Sequence, residues 1–206
     1  MSDGDRAAKA GIRALHRERR TATNPDQRDE AGAALAAHGA AWAKQLTGGT
    51  PSTFCAYFGV EPEPPTLPLI RELHRHGHTV LLPVCEPGRR LSWAHWTPEA
   101  EFVRSRYAPV MEPAGTRHDH DIMASVAGLF IPATALDRSG NRIGQGGGYY
   151  DVLLGSLDSR GLDIPLAAIV FESEVLPAGT IPAEEFDRKI PLALTPSGLV
   201  ALTNAS

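Results

Sequence analysis

The chain has 206 residues, of which 42% are hydrophobic and 21% are charged. These fractions are typical of a globular protein and exclude a chain that is disordered throughout. Its 20 Lys and Arg residues against 24 Asp and Glu residues give a formal charge of −4, which argues against nucleic-acid binding by a generally basic surface. A chain of this length is expected to form a single domain over residues 1–206.

The cysteine content and the hydropathy pattern bear on where the protein functions. Cys55 and Cys85 are too few for a disulfide framework, and each stands in an apolar run, so we expect both side chains to be buried. The N-terminal segment lacks the apolar core of a secretory signal, and no run of about 18 apolar residues occurs. We therefore expect a cytoplasmic, monomeric protein that does not associate with membranes.

A first helix is predicted over residues 5–21. Its apolar residues recur at spacings of four and three and predict a stripe formed by Ala8, Ile12 and Leu15. At about 100° per residue, a fan of roughly 80° beside that stripe holds four basic side chains, namely Lys9, Arg13, Arg17 and Arg20. Taken alone, this basic fan favours a solvated helix face, with a nucleic-acid patch as the alternative.

Helices and short apolar runs alternate along the rest of the chain. The Asn-Pro pair at 24–25 favours a helix start, and this Ala-rich helix should end before Gly48. Thr66 is a candidate cap for another helix, and residues 149–159 predict a further one. Six apolar runs predict strands, at 53–58, 79–84, 91–96, 128–133, 165–170 and 198–202. The expected fold class is α/β, with a mainly parallel sheet in a three-layer α/β/α arrangement.

The segment 130–151 carries the most specific pattern in the chain. A buried strand leads into Arg142, a helix starts at Tyr149, and between them stand Gly144, Gly146, Gly147 and Gly148. The carboxyl end of a parallel strand is where α/β proteins bind ligands. Uncrowded backbone N–H groups, a helix N-terminus and a guanidinium predict a phosphate site there. Asp151, one turn into the helix, is either a Mg²⁺ ligand or an acid favoured by the helix dipole.

The run GNRIGQGGGYYD at 140–151 resembles the glycine-rich signature of the 5-formyltetrahydrofolate cyclo-ligase family, also called methenyltetrahydrofolate synthetase. The likeness continues in the family's order over nearly the whole chain, in KAGIRALHRERR at 9–20, EPPTLPLI at 63–70 and IPAEEFDRKIPLALT at 181–195. This resemblance implies an enzyme that uses ATP and Mg²⁺ to convert 5-formyltetrahydrofolate into 5,10-methenyltetrahydrofolate. It also implies a fold in the group shared with sugar-phosphate isomerases and CoA transferases.

The resemblance assigns roles to individual residues. ATP would be bound by two residues of the first helix and by the glycine-rich segment, that is, by Lys9, Arg13, Arg142, Gly144, Gly146, Gly147, Gly148, Tyr149 and Tyr150. Arg142 and Tyr150 would be catalytic, and Asp151 and Asp187 would hold Mg²⁺. On the folate side, the resemblance implies that the carboxylate of Glu63 binds the amino edge of the pterin and that the aromatic residues Phe58 and Tyr149 lie near the ring.

Two positions depart from the family pattern. Val152 stands where the family usually has a basic residue, and Arg138 or Lys189 could supply the missing contact. Phe186 stands where a histidine often precedes the terminal aspartate, which weakens the assignment of Asp187. Inactivity or an altered substrate therefore stays open. Two further hypotheses are a sugar-phosphate isomerase of related fold and a non-catalytic nucleotide- or RNA-binding module that uses the basic helix.

Overall fold

The structure, a computed structural model, describes residues 2–183 and 188–202. The α-helices within these ranges are α1 (Asp3–Ala22), α2 (Pro25–Thr47), α3 (Leu67–Arg75) and α4 (Tyr149–Ser159). The strands are β1 (Thr53–Cys55), β2 (Thr79–Glu86), β3 (Arg90–Trp96), β4 (Phe102–Arg104), β5 (Met111–Pro113), β6 (Arg117–His118), β7 (Val126–Pro132), β8 (Ala135–Asp137), β9 (Arg142–Ile143), β10 (Leu166–Ile169), β11 (Val175–Leu176), β12 (Leu192–Thr195) and β13 (Gly198–Ala201).

The main sheet has its strands in the order β13-β12-β10-β7-β1-β2-β3-β6. The five central strands, β12, β10, β7, β1 and β2, pair with one another in parallel. At the two sides of the sheet, β13, β3 and β6 pair antiparallel. Two small sheets, β11-β8-β9 and β4-β5, accompany it. The expectation of a mainly parallel sheet is therefore confirmed.

Helices cover both faces of the main sheet and make three layers. Leu35 of α2 and Leu69 of α3 belong to the apolar cluster on one face, and Leu157 of α4 belongs to the cluster on the other. Leu129 and Phe130, consecutive residues of β7, enter opposite clusters because side chains alternate along a strand. Within the described ranges, no helix combines the length and the apolar character needed to cross the lipid bilayer.

Strand β1 is shorter than expected, and Thr66 explains why the chain leaves the sheet there. The Ala56 N–H still bonds to the carbonyl of β2 residue Leu81 at 3.0 Å. The next carbonyl, that of Tyr57, accepts instead from the Thr66 hydroxyl at 2.5 Å, and the same hydroxyl accepts from the Gly59 N–H at 2.8 Å. The sequence suggested that Thr66 caps α3. Thr66 does stand at the N-cap position, but its side chain makes no capping bond and instead holds the loop after β1 against the end of that strand.

Several strands were not predicted because their sequences lack a clear alternation. In the hairpin β4-β5, Val103 and Met111 are exposed, so the hairpin shows no continuous buried face. Strand β12 was also missed, since its apolar run is short and is directly preceded by Pro191. Cys55 and Cys85 are both buried, as expected.

Helix α1 packs its polar side against the protein. The prediction that its apolar stripe forms the buried face is therefore wrong. Leu15 is 45% exposed and Ala8 is exposed, whereas His16 and Arg20 are buried. Ile12 is half-buried and contacts a small cluster around Ile143 of β9. The reversal has an electrostatic cause, because the buried polar residues meet a charged partner.

Arg20 and Glu174 form a buried ion pair that fastens α1 to the sheet. The Arg20 Nε donates to Glu174 Oε1 at 2.6 Å and its Nη2 donates to Oε2 at 2.8 Å, and both residues are at most 3% exposed. Arg20 Nη2 also donates to the Ala133 carbonyl at 2.8 Å, while the Phe171 N–H donates to Glu174 at 2.9 Å. These bonds replace the water that the two charges lose on burial.

We expect Glu174→Gln to lower the free energy of unfolding by about 3–5 kcal/mol, because it leaves the Arg20 charge buried without a counter-ion. Chemical denaturation at neutral pH measures this change. The matched control is Glu72→Gln, which breaks the exposed Glu72–Arg75 pair and should leave the free energy of unfolding almost unchanged. Equal effects of the two substitutions would contradict the role given to the buried pair.

Candidate active site

A cavity of about 730 Å³ lies at the topological switch point of the main sheet, where successive strands stop being added on one side and begin to be added on the other. The chain adds β2 on one side of β1 and later places β7 on the other. Residues that follow β1 and β7 line the cavity, together with α1, the glycine-rich loop and the β4-β5 hairpin. Open α/β sheets bind ligands at this kind of crevice, outside the carboxyl ends of the strands.

The cavity brings together all the predicted site residues that lie in the described part of the chain. They are Lys9, Arg13, Phe58, Glu63, Arg142, Gly144, Gly146, Gly147, Gly148, Tyr149, Tyr150 and Asp151. Asp187 and Phe186 lie outside the described residues. Arg138 and Lys189, suggested as substitutes for a basic residue at position 152, do not line the cavity. The Lys189 ammonium instead donates to the Asn141 side chain.

The glycine-rich loop has local features that favour glycine at two positions. A Cβ on Gly144 would lie 2.9 Å from Nη1 of Arg142, so a side chain there would displace the guanidinium. Gly148 has φ 76° and is the N-cap of α4, a left-handed conformation that favours glycine. The Arg13 Nε donates to the Gly144 carbonyl at 2.8 Å and joins α1 to the loop. The loop therefore presents its backbone and the helix N-terminus to the cavity.

Positive charge reaches the loop from two separate parts of the chain. All four residues of the basic fan on α1, Lys9, Arg13, Arg17 and Arg20, line the cavity. The solvated-face interpretation therefore holds only for Arg17, which is exposed, whereas Lys9 and Arg13 are half-buried and Arg20 is buried. Arg89, in the turn between β2 and β3, lies against the loop, with Cδ 3.2 Å and Nη1 3.3 Å from the position of a Cβ on Gly148. Sequence analysis did not indicate Arg89, because no local pattern links that turn to the loop.

Arg142 and Asp151 form an ion pair at the edge of the cavity. The Arg142 side chain is 7% exposed and also donates to the Pro132 carbonyl at 3.3 Å, while the Asp151 side chain is 74% exposed. Proteins usually bind Mg²⁺ through one or two carboxylates, with phosphate oxygens and water completing the shell. One exposed carboxylate beside the glycine-rich loop fits the protein's share of that donor set. No cluster of three or more His, Cys, Asp and Glu residues in the described ranges could hold a metal by itself.

Glu63 is a carboxylate held on the other side of the cavity. Its Oε2 accepts from the Val60 N–H at 3.3 Å, and its Oε1 accepts from Nε2 of Gln145 at 3.4 Å. Arg28 of α2 donates to the backbone carbonyl of Glu63 at 2.9 Å. Burial raises the pKa of the Glu63 carboxyl, against the lowering effect of the Arg20 charge. The backbone of Glu63 is therefore fixed in position, but the nearby positive charge does not fully offset the cost of burying its carboxylate.

Between these two groups the cavity is lined by flat and apolar side chains. The Phe58 ring packs on Phe102 with centroids 4.8 Å apart, and the ring of Tyr149 covers Gly147. Burial raises the pKa of Tyr150 well above its ordinary value, so its hydroxyl stays protonated. The remaining apolar lining includes Leu91, Ala108, Val110 and Met111. The last three lie in the stretch 97–122, which lacks a regular periodicity and for which the sequence left open a loop over the site or a small subdomain. Tyr57 and Thr134 were missed for a different reason, since each simply continues an apolar run.

We expect Glu63→Gln to stabilise the unliganded protein at about pH 8, because the ionised carboxylate is buried at a cost in the folded state. A carboxyl with a raised pKa in the folded state favours folding at low pH and loses that contribution as the pH rises through its folded pKa. The gain should therefore shrink as the pH falls towards about 4. Thermal unfolding at several pH values measures it. The control Glu61→Gln removes a carboxylate that is 86% exposed and should show no such pH-dependent gain.

The fold and the cavity together define an α/β protein with a cavity at the carboxyl ends of its parallel strands, lined by a glycine-rich loop, by arginines and by aromatic side chains. A sequence model of the 5-formyltetrahydrofolate cyclo-ligase family matches residues 5–196. The chain belongs to the 5-formyltetrahydrofolate cyclo-ligase family.

Individual relatives agree with this membership. The chain is 35% identical to the 5-formyltetrahydrofolate cyclo-ligase of Mycolicibacterium smegmatis over 160 residues, which cover 73% of this chain and 77% of the relative. It is 30% identical to the enzyme of that name from Escherichia coli K12 over 183 residues, 88% and 96% of the two chains. The fold is also that of the 5,10-methenyltetrahydrofolate synthetase of Aquifex aeolicus, with a TM-score of 0.70 at 20% identity over 96% of this chain and 94% of the other.

Proposed function

We propose that this protein converts 5-formyltetrahydrofolate into 5,10-methenyltetrahydrofolate, with ATP hydrolysed to ADP and phosphate. Family membership supports the reaction class. The observation that carries the proposal is the hydrogen bond from Gln145 to Glu63 at 3.4 Å, because it joins the phosphate-binding loop to the carboxylate assigned to the folate ring. The two sites are therefore close enough for direct transfer of a phosphoryl group between their ligands.

The chemistry requires the formyl oxygen to become a leaving group. That oxygen attacks the γ-phosphorus of ATP, the bond from phosphorus to the bridging oxygen breaks, and ADP departs. The second folate nitrogen then attacks the activated formyl carbon and gives up its proton. The carbon–oxygen bond breaks and releases phosphate, which leaves the carbon bonded to both nitrogens.

In this reaction the protein acts by positioning and by charge rather than as a nucleophile. Arg13, Arg142 and the loop N–H groups neutralise the phosphates. The two cysteines are unsuited to nucleophilic attack, because burial raises the pKa of both thiols. The alternative of an RNA-binding helix is disfavoured, since the basic fan of α1 lines the cavity.

Magnesium fits this scheme as an ion that arrives with ATP. Asp151 would supply one carboxylate oxygen, with phosphate oxygens and water as the other ligands. Bound there, the ion would offset the negative charge of the triphosphate. Arg142, which pairs with Asp151, would then turn its guanidinium to the phosphates.

The defining test mixes the purified protein with 5-formyltetrahydrofolate, ATP and Mg²⁺ and follows the near-ultraviolet absorption band of the conjugated methenyl product. We expect the band to grow only when ATP is present. An ATP-independent band, or none, would rule out the proposed reaction.

Arg142→Ala should lower turnover by about tenfold or more, because it removes a charged donor that stabilises the transferring phosphoryl group. Initial rates at saturating ATP and folate measure this. The control is Arg138→Ala, which removes an exposed arginine that does not line the cavity and should keep the wild-type rate. Near-normal turnover in the Arg142 variant would contradict its assignment to the phosphates.

Asp151→Asn should raise the Mg²⁺ concentration needed for half-maximal activity, since a neutral amide binds the ion more weakly than a carboxylate. Rates measured across a magnesium titration at fixed ATP report this shift. Asp121→Asn serves as the control, because Asp121 is an exposed acid paired with Arg160 and lies outside the cavity lining. An unchanged magnesium dependence in Asp151→Asn would remove Asp151 from the metal shell.

A further inference from the structure

Helix α2 holds the loop after β1 through one arginine. The Arg28 Nη1 donates to the Pro62 carbonyl at 3.2 Å, and its Nη2 donates to the Glu63 carbonyl at 2.9 Å. The side chain of Arg28 is 13% exposed, and Arg28 does not itself line the cavity. One guanidinium on α2 therefore binds two consecutive carbonyls of a loop that comes 34 and 35 residues later in the chain.

The segment that Arg28 binds is a turn that lines the cavity. Residues 60–63 all belong to the cavity lining. Within the turn, the Glu63 N–H donates to the Val60 carbonyl at 2.8 Å, and the Val60 N–H donates to Oε2 of Glu63 at 3.3 Å. Because these bonds join the backbone and the carboxylate in one turn, a contact that fixes the turn also fixes the position of the Glu63 carboxylate.

Close packing of α2 against the same part of the chain supports this role. Gly32 lies one helical turn after Arg28 and therefore on the same face of α2. A Cβ on Gly32 would lie 3.1 Å from Cγ of Pro65 and 3.2 Å from Cγ of Pro68. The glycine thus allows the helix to approach the end of the loop closely, and one face of α2 holds the loop both by packing and by hydrogen bonds.

An ion pair does not account for a mostly buried arginine at this position. The Nε of Arg28 lies 3.6 Å from Oε1 of Glu61, whose side chain is 86% exposed, and such pairs contribute little to stability. The burial of the guanidinium has to be offset by its hydrogen bonds to the two carbonyls. A planar guanidinium directs its donors along fixed axes, so this residue type is suited to placing the backbone that it binds.

We propose that Arg28 is a positioning residue for the folate substrate, because its bonds to the carbonyls of Pro62 and Glu63 fix the place at which the Glu63 carboxylate meets the amino edge of the ring. This inference rests on the proposed function. The Thr66 hydroxyl secures the beginning of the loop through the Tyr57 carbonyl, and Arg28 secures the turn that carries the carboxylate. Since the direct bonds to that carboxylate are long, at 3.3 and 3.4 Å, its placement depends on the backbone.

The first test compares Arg28→Ala with the wild type in the ATP-dependent assay. We expect the KM for 5-formyltetrahydrofolate to rise about tenfold, as for the loss of a hydrogen bond from a charged donor. The KM for ATP and the kcat at saturating folate should change less than about twofold, because a loosened loop weakens the binding of the ring in the ground state and the transition state alike.

A second variant and a control accompany this test. Arg28→Lys keeps the charge but replaces the planar donor group by one ammonium, so it should raise the KM for folate by a smaller factor, and it carries the test if Arg28→Ala does not fold. Arg71→Ala removes an exposed arginine of α3 that does not line the cavity and should leave both KM values unchanged.

The second test measures binding without catalysis. Calorimetry with 5-formyltetrahydrofolate, in the absence of ATP, gives the affinity of the wild type, of Arg28→Ala, of Glu63→Gln and of the double variant. If Arg28 acts through Glu63, Arg28→Ala should lower the affinity by a much smaller factor in the Glu63→Gln background than in the wild type. A purely structural role would lower the affinity by the same factor in both backgrounds.

The outcomes separate this inference from the proposed function. If the wild type binds folate but makes no methenyl product, the proposed function fails, and the binding experiment still decides whether Arg28 positions Glu63. If the wild type is active but both Arg28 variants keep its KM for folate, the inference about Arg28 is wrong and the function stands. Equal losses of affinity in the two backgrounds, or an equal rise in the KM for ATP, would also overturn the inference. A wild type that binds no folate would contradict both.

Discussion

The Arg20 guanidinium and the Glu174 carboxylate meet beneath α1, shielded from water, and the arrangement of the cavity depends on their contact. A helix with an apolar stripe would ordinarily bury that stripe. Here the ion pair and the bond from Arg20 to the Ala133 carbonyl turn the polar side inward. Lys9 and Arg13 lie on that same side, so the interaction that anchors the helix also places their charges at the glycine-rich loop.

The reversal of strand order between β1 and β7 brings two unlike groups of side chains together in one cavity. The loop after β7 leads to Arg142 and the glycines, which suit phosphate, and the loop after β1 carries Phe58 and Glu63, which suit a flat ring with a hydrogen-bonding edge. Phosphoryl transfer requires the reacting atoms to be held in contact. Gln145 spans the two loops, so the fold itself supplies the proximity that the reaction needs.

Several residues of the cavity are unfavourable for stability in the unliganded protein. Burial disfavours the charge of Glu63, and the hydroxyls of Tyr57 and Thr134 have no partner in the described part of the chain. Local costs of this kind are expected at binding sites. The large apolar clusters on both faces of the sheet offset them.

The sequence by itself determined the α/β class, the parallel sheet and the glycine-rich loop, because periodicity and glycine conformations are local properties. Its motifs also indicated most of the site, from Lys9 to Asp151. Only the tertiary structure decided which face of α1 is buried, since that depends on Glu174, far away in the chain. It likewise decided that Arg89 lies against Gly148 and that the Tyr57 hydroxyl is buried without a partner among the described residues. Contacts between distant segments arise from packing, and no local pattern records them.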